Sequence, residues 1–138
     1  MNVPSHQIQA LERALQHLKK HMTSLYVDHT LSKADLNILF CLRFCKGEKM
    51  MKMSDIAKTL KVTLPAITHR VHHLIEEGYI EKKQDPKDLR VTYLVLKEKT
   101  IHWIDSIKDD YFRHVTQMIY QLGKDDTEEL IRILNRLT

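Results

Sequence analysis

The sequence predicts a mainly α-helical fold with one small β-hairpin, an α+β chain in which the strands are a minor appendage. Three observations lead there. Only three glycines and three prolines interrupt 138 residues, so helices can run long. Apolar side chains recur at steps of three and four over most of the chain. The period changes to two only between residues 79 and 96.

From residue 7 to 26, Ile8, Leu11, Leu15, Leu18, Met22 and Leu25 form a narrow stripe on one helix face. Such a stripe needs a partner helix, supplied by a second copy or by the rest of the chain. Ser32, with Asp35 behind it, opens a second helix, apolar nearly all round through Leu36, Ile38, Leu39, Phe40, Leu42 and Phe44, and ending at Lys46-Gly47. This helix should be buried, with Cys41 and Cys45 packed in it. After a short strand at residues 50–53, Ser54 is expected to cap a one-sided helix that turns its Ile56, Ala57 and Leu60 inward. Lys61-Val62 makes a tight turn. Thr63 caps the next helix, where Pro65 falls in the first turn and costs no hydrogen bond, and Gly78 closes it.

Residues 79–83 and 91–96 alternate as strands, with Asp85-Pro86-Lys87-Asp88 as turn chemistry between them. Beyond the hairpin, Ile104, Ile107, Tyr111, Val115, Met118 and Leu122 continue one helical stripe to a stop at Gly123. Asp126, with Glu129 three residues on, caps a last helix faced by Leu130, Leu134 and Leu137. Helix, helix, turn, helix, hairpin is the order of a winged helix-turn-helix. The expected organisation is one compact domain per chain: residues 1–30 an N-terminal dimerisation helix, 31–100 the winged helix-turn-helix, 101–138 C-terminal dimerisation helices.

Composition narrows the function. No apolar run exceeds residues 38–42 and the first twenty residues lack a secretory stretch, so the chain is expected to be cytoplasmic with no membrane partner. Residues 43–99 carry 13 basic against 8 acidic side chains, whereas the two ends are near balance, which places a polyanion-facing surface in the middle. A Gly-rich phosphate loop, a His-Glu-x-x-His pair and a nucleophile elbow are all missing, which argues against an enzyme, and no cofactor is expected. Nine histidines raise metal sensing as an alternative, through His17 and His21 four apart or through His69, His72 and His73. Spacing alone carries little weight, and no metal site is assigned. A winged helix used only for protein contacts is the other alternative.

A helix that enters the major groove needs one face anchored in protein and the other offering hydrogen-bonding groups near its N-terminus. The helix capped by Thr63 fits: Ile67, Val71, Leu74 and Ile75 point inward, while Pro65, Thr68, His69, His72 and His73 point outward with Arg70 at the side. Thr68 and His69 are best placed for base edges and Arg70 and His73 for phosphates, with those roles interchangeable. Arg90 is the candidate for the minor groove beside the hairpin tip. Asp88 either holds its guanidinium or ties the turn. Lys82, Lys83 and Lys87 are placed to meet phosphates, and Ser54 and Thr63 complete the DNA-facing set.

Residues 31–100 resemble the MarR family. Residues 53–60 (MSDIAKTL) resemble the family's second helix, and residues 62–80, leaving through Gly78-Tyr79-Ile80, its recognition helix. Asp85-Pro86-Lys87-Asp88-Leu89-Arg90 is similar to its wing signature, Asp-x-Arg-Asp-x-Arg. The resemblance implies a homodimer joined by the terminal helices. It implies binding to a pseudo-palindromic double-stranded operator, and repression until a small-molecule effector or other signal releases it. An effector would lie where His17, Met22 and Arg43 contribute. The chain departs from the family in three places. Lys87 stands for the first wing arginine, which replaces a planar fork by a point charge. His69 and His73 stand where arginine is frequent, making part of the groove-facing charge depend on pH. Thr100 stands where glycine usually enters the long C-terminal helix.

Overall fold

A computed structural model describes residues 2–23, 31–45, 47 and 50–138. The elements are α1 (Ser5–Thr23), α2 (Lys33–Phe44), α3 (Met53–Leu60), α4 (Leu64–Glu76), β1 (Ile80–Gln84), β2 (Thr92–Leu96), α5 (Glu98–Tyr111) and α6 (Arg113–Leu137). Contacts divide the chain into two compact units, residues 29–108 and residues 1–28 with 109–138.

The first unit is the winged helix-turn-helix. Ser32 caps α2, its hydroxyl accepting the Asp35 amide at 3.2 Å. Leu36, Ile38, Leu39 and Leu42 of α2 are at most 1% exposed, and α2 packs against α3, α4 and β2. Ile56, Ile67, Val71, Leu74, Ile80 and Ile104 close the same core. Truncating any of these to alanine would cost about 2–5 kcal/mol, because a packed interior collapses only partly around the hole. The last turn of α2 departs from the expected burial. Phe44 is 44% exposed and Cys45 is exposed, whereas Cys41 is buried. A helix apolar on every side is covered only as far as its neighbours reach, and among the described residues Phe44 and Cys45 lie beyond that cover although Arg43 of the same turn meets Asp105. Lys46 lies outside the described residues.

The expected strand at residues 50–53 reduces to one bridge, in which Leu94 donates to the Met51 carbonyl at 2.8 Å. Met53 instead begins α3. Lys52, not Ser54, is the N-cap residue, since the Asp55 carboxylate reaches back to accept the Lys52 amide at 2.8 Å and moves the helix start upstream. Lys61 then takes a left-handed conformation (φ 54°, ψ 46°), making the turn into α4. Thr63 caps α4 by accepting the Ala66 amide at 3.4 Å, with Pro65 in the first turn.

β1 and β2 pair antiparallel, with Ile80 opposite Leu96 and Gln84 opposite Thr92. Thr100 is 2% exposed, and its hydroxyl donates to the Tyr79 carbonyl at 2.9 Å. That carbonyl also accepts the Lys97 amide at 3.1 Å, so the exit of α4 is fastened to the entry of α5. Across the same unit the Arg43 guanidinium grips the Asp105 carboxylate with two bonds of 3.0 Å, joining α2 to α5.

In the second unit, α1 leaves Ile8, Leu11, Leu15 and Met22 exposed along its stripe, and no residue of α6 is buried. Leu25 of the expected stripe lies outside the described residues. The single helix expected through residues 104–122 is two. It breaks at Phe112 (φ −91°, ψ 2°), where one non-helical residue leaves the apolar spacing on either side intact and so invisible to periodicity. Gly123 interrupts α6 at φ 79°, ψ 175°. The helix resumes immediately, not at Asp126, and Thr127 donates to the Gly123 carbonyl at 2.6 Å.

Candidate nucleic-acid interface

α4 has two unlike sides. Ile67, Val71 and Leu74 are buried at 3% exposure or less, and successive steps of four and three place them on one stripe. Pro65, His69, His72 and His73 are exposed on the other side. Thr68 is half-buried, and its hydroxyl donates to the Leu64 carbonyl at 2.8 Å. The two residues nominated for base edges are therefore unequal: Thr68 has spent its proton within the helix, while the His69 ring is exposed.

Arg70 is turned toward α2. Its Nη1 donates to Asp35 Oδ1 at 3.3 Å and to Ser32 Oγ at 3.1 Å. The Asp35 side chain is 8% exposed and that of Arg70 44%, so the pair straddles the surface of the unit. The residue assigned to phosphates from sequence thus has a protein partner that position alone did not reveal. Arg70 and Asp35 are 35 residues apart, and the only sequence signal was Arg70's place on the flank of the buried stripe.

The wing is braced at its tip. Asp85 Oδ1 accepts the Lys87 amide at 2.8 Å, and Tyr93 donates its hydroxyl to Asp85 Oδ2 at 3.2 Å. Desolvation, then the bond to Asp85, raises the Tyr93 phenol above its usual range. Asp88 accepts the Arg90 amide at 3.1 Å and the Arg90 guanidinium at 3.0 and 3.2 Å, so it both ties the turn and holds the side chain. The guanidinium, followed by the amide, holds the Asp88 carboxyl below its ordinary value. Arg90 remains 91% exposed, so the donors not turned to Asp88 face solvent. Lys82, Lys83 and Lys87 are exposed. Lys82 sits opposite Leu94 and Lys83 opposite Tyr93, so consecutive lysines leave opposite faces of the hairpin.

Ser54 is exposed in the first turn of α3 and Thr63 at the start of α4. Lys52 and Lys58, which the sequence reading did not select, are exposed on and before α3. No acidic residue occurs between positions 56 and 75, whereas Glu76 and Glu77 follow. Positive potential is thereby biased to the N-terminal half of α4.

His17 and Met22 are exposed on α1 in one unit, and Arg43, tied to Asp105, is on α2 in the other. Among the described residues no group of three or more His, Cys, Asp or Glu side chains is placed to hold a metal ion. Among the same residues no helix is long and apolar enough to cross a membrane.

A sequence model of the MarR family matches residues 31–92. The chain is 26% identical over 127 residues to the HTH-type transcriptional regulator MhqR of Bacillus subtilis (strain 168), covering 92% of this chain and 86% of that protein. AbsC, a MarR family transcriptional regulator from Streptomyces coelicolor, has a similar structure: TM-score 0.80 at 20% identity, over 99% of this chain and 95% of that one. MepR of S. aureus in its DNA-binding conformation gives a TM-score of 0.76 at 18% identity, over 94% and 95% of the two chains. The family match runs from just before α2 to the first residue of β2, across the recognition helix and the wing tip, and these relatives align over more than nine tenths of the chain, so the stretch that carries the candidate interface is the stretch that is similar to the MarR family of transcriptional regulators.

Proposed function

We propose that this chain acts as a homodimeric, sequence-specific repressor on a pseudo-palindromic duplex operator. α4 lies in the major groove and the wing over the adjacent minor groove. The observation that carries the reading is the two-sidedness of α4, buried on Ile67, Val71 and Leu74 and exposed on Pro65, His69, His72 and His73, beside a wing whose Arg90 is aimed by Asp88. His69 reads a base edge. His73, Lys87 and one of Lys82 and Lys83 on each hairpin face meet phosphates, as do Ser54 and Thr63 at their helix starts. Phosphate contacts set register and Arg90 senses minor-groove width.

Two copies are needed because the apolar stripes of α1 and α6 are uncovered in one chain, and a twofold axis presents two α4 helices to successive grooves about 34–36 Å apart. A small-molecule effector as the releasing signal follows from the family resemblance, with His17, Met22 and Arg43 as its first candidates. The test is a fluorescence-anisotropy titration of the full chain against duplex DNA between 50 and 200 mM salt, values at which about 6–10 neutralised phosphates cost roughly 10³–10⁵ in affinity. Salt-insensitive or absent binding would leave only the protein-contact reading of the fold.

A further inference from the structure

We infer that the first turn of α4 reads methyl groups: Leu64 and Pro65, with Val62 beside them, meet the C5-methyl of thymine in the major groove. The inference rests on the DNA-binding reading above and names what that helix recognises. Leu64 is 47% and Val62 46% exposed, and Pro65 and Ala66 are exposed as well. Four of the five positions from 62 to 66, all but the capping Thr63, thus offer solvent an apolar surface where a groove-facing helix meets base edges first.

The side chains that read other bases are missing from this stretch or already engaged. Adenine is read by paired bonds from Asn or Gln, and α4 contains neither. Guanine is read by the fork of an arginine, and the single arginine of α4 is bonded to Asp35 and Ser32. Thr63 has its oxygen on the Ala66 amide, and Thr68 has its proton on the Leu64 carbonyl. Apart from these two hydroxyls, each already holding one bond, what the helix offers ahead of His69 is hydrocarbon. The group in the major groove that hydrocarbon recognises is the thymine methyl. The same residues supply no acidic side chain to repel the flanking phosphates.

The experiment starts with duplexes selected by the full-length protein from a random pool. Each thymine of the selected site is then replaced singly by deoxyuridine, which removes the methyl and keeps every hydrogen bond. One thymine, or a symmetric pair, should lose about fourfold in affinity, the factor carried by burying one methyl-sized group. Leu64→Ala and Pro65→Ala, each checked for an unchanged melting temperature, should bind the thymine and uracil duplexes alike. A selected duplex in which every uracil replacement is silent overturns the inference, as does discrimination that persists undiminished in both variants. If no duplex is enriched and binding shows no salt dependence, the DNA-binding reading itself has failed and takes this inference with it.

Discussion

Arg70 separates two roles that a recognition-helix arginine can play, and its removal is the sharpest test of the site. In Arg70→Ala the Asp35 carboxylate, 8% exposed, loses the one charged partner it has among the described residues and keeps its place at the start of α2. Stripping one member from a fully buried pair costs about 3–5 kcal/mol, whereas exposed pairs are worth about 0.2–1 kcal/mol. With the Arg70 side chain 44% exposed, water partly replaces the guanidinium, and the loss expected is about 1–2 kcal/mol. For a unit of this size that lowers the midpoint by roughly 5–10 °C, measurable by circular dichroism. Asp35→Asn should fall in the same direction, and Arg70→Lys should recover part of the loss through its charge without the fork. Because the guanidinium stays with Asp35 on this reasoning, the slope of log affinity against log salt should be unchanged in all three. A slope reduced by about one per protomer in Arg70→Ala, with an unshifted midpoint, would show a phosphate contact and refute the argument.

Four further outcomes follow from the same structure. Arg90→Ala should lower the salt slope by about one per protomer, while Asp88→Asn should weaken binding with the slope retained, because the charge survives without its brace; both are read by anisotropy titration. Thr100→Val removes the hydroxyl bonded to the Tyr79 carbonyl but leaves the Lys97 amide there, so urea unfolding should register a loss of about 1 kcal/mol. Cys41 is buried, and burial, reinforced by Cys45, pushes its thiol up to about 12, so iodoacetamide at pH 8 should modify the exposed Cys45 in the native protein and both thiols only after unfolding, as mass spectrometry would show. Asp105 is held below its ordinary value of 3.8 by the Arg43 bond; a group depressed in the folded state stabilises above its unfolded pKa and loses that contribution as pH falls through the folded one. Acid unfolding of Asp105→Asn should therefore be shallower than that of the parent below pH 3.8.

The helix-turn-helix was legible because its determinants are local. Ser32 and Thr63 cap where small hydroxyl residues precede apolar periodicity, and Gly78 sits at φ 83°, which its neighbours could not adopt cheaply. The wing was legible for the same reason, since the Asp88 and Arg90 side chains meet two residues apart. Contacts that span the chain were not. Nothing in the spacing of Arg43 and Asp105, or of Arg70 and Asp35, announces that they touch, because folding rather than sequence brings them together. Asp55 competing with Ser54 for the start of α3 was readable in principle, and went unread because a hydroxyl cap is the commoner signal. The break at Phe112 was not, since an interruption of one residue preserves the pattern of what it interrupts.

Gly123 gives the C-terminal end a property that its side chains do not control. At φ 79°, ψ 175° it occupies backbone territory reserved almost wholly for glycine, yet a methyl group there would meet nothing within 4 Å. The demand is torsional and not spatial. Any other residue would favour continuing the spiral and fuse Arg113–Leu137 into a rod of about 37 Å. As it is, Val115, Ile119 and Leu122 lie before the joint and Ile131, Leu134 and Leu137 after it, all of them exposed, so the apolar surface of this end is divided between two helical segments rather than drawn along one axis.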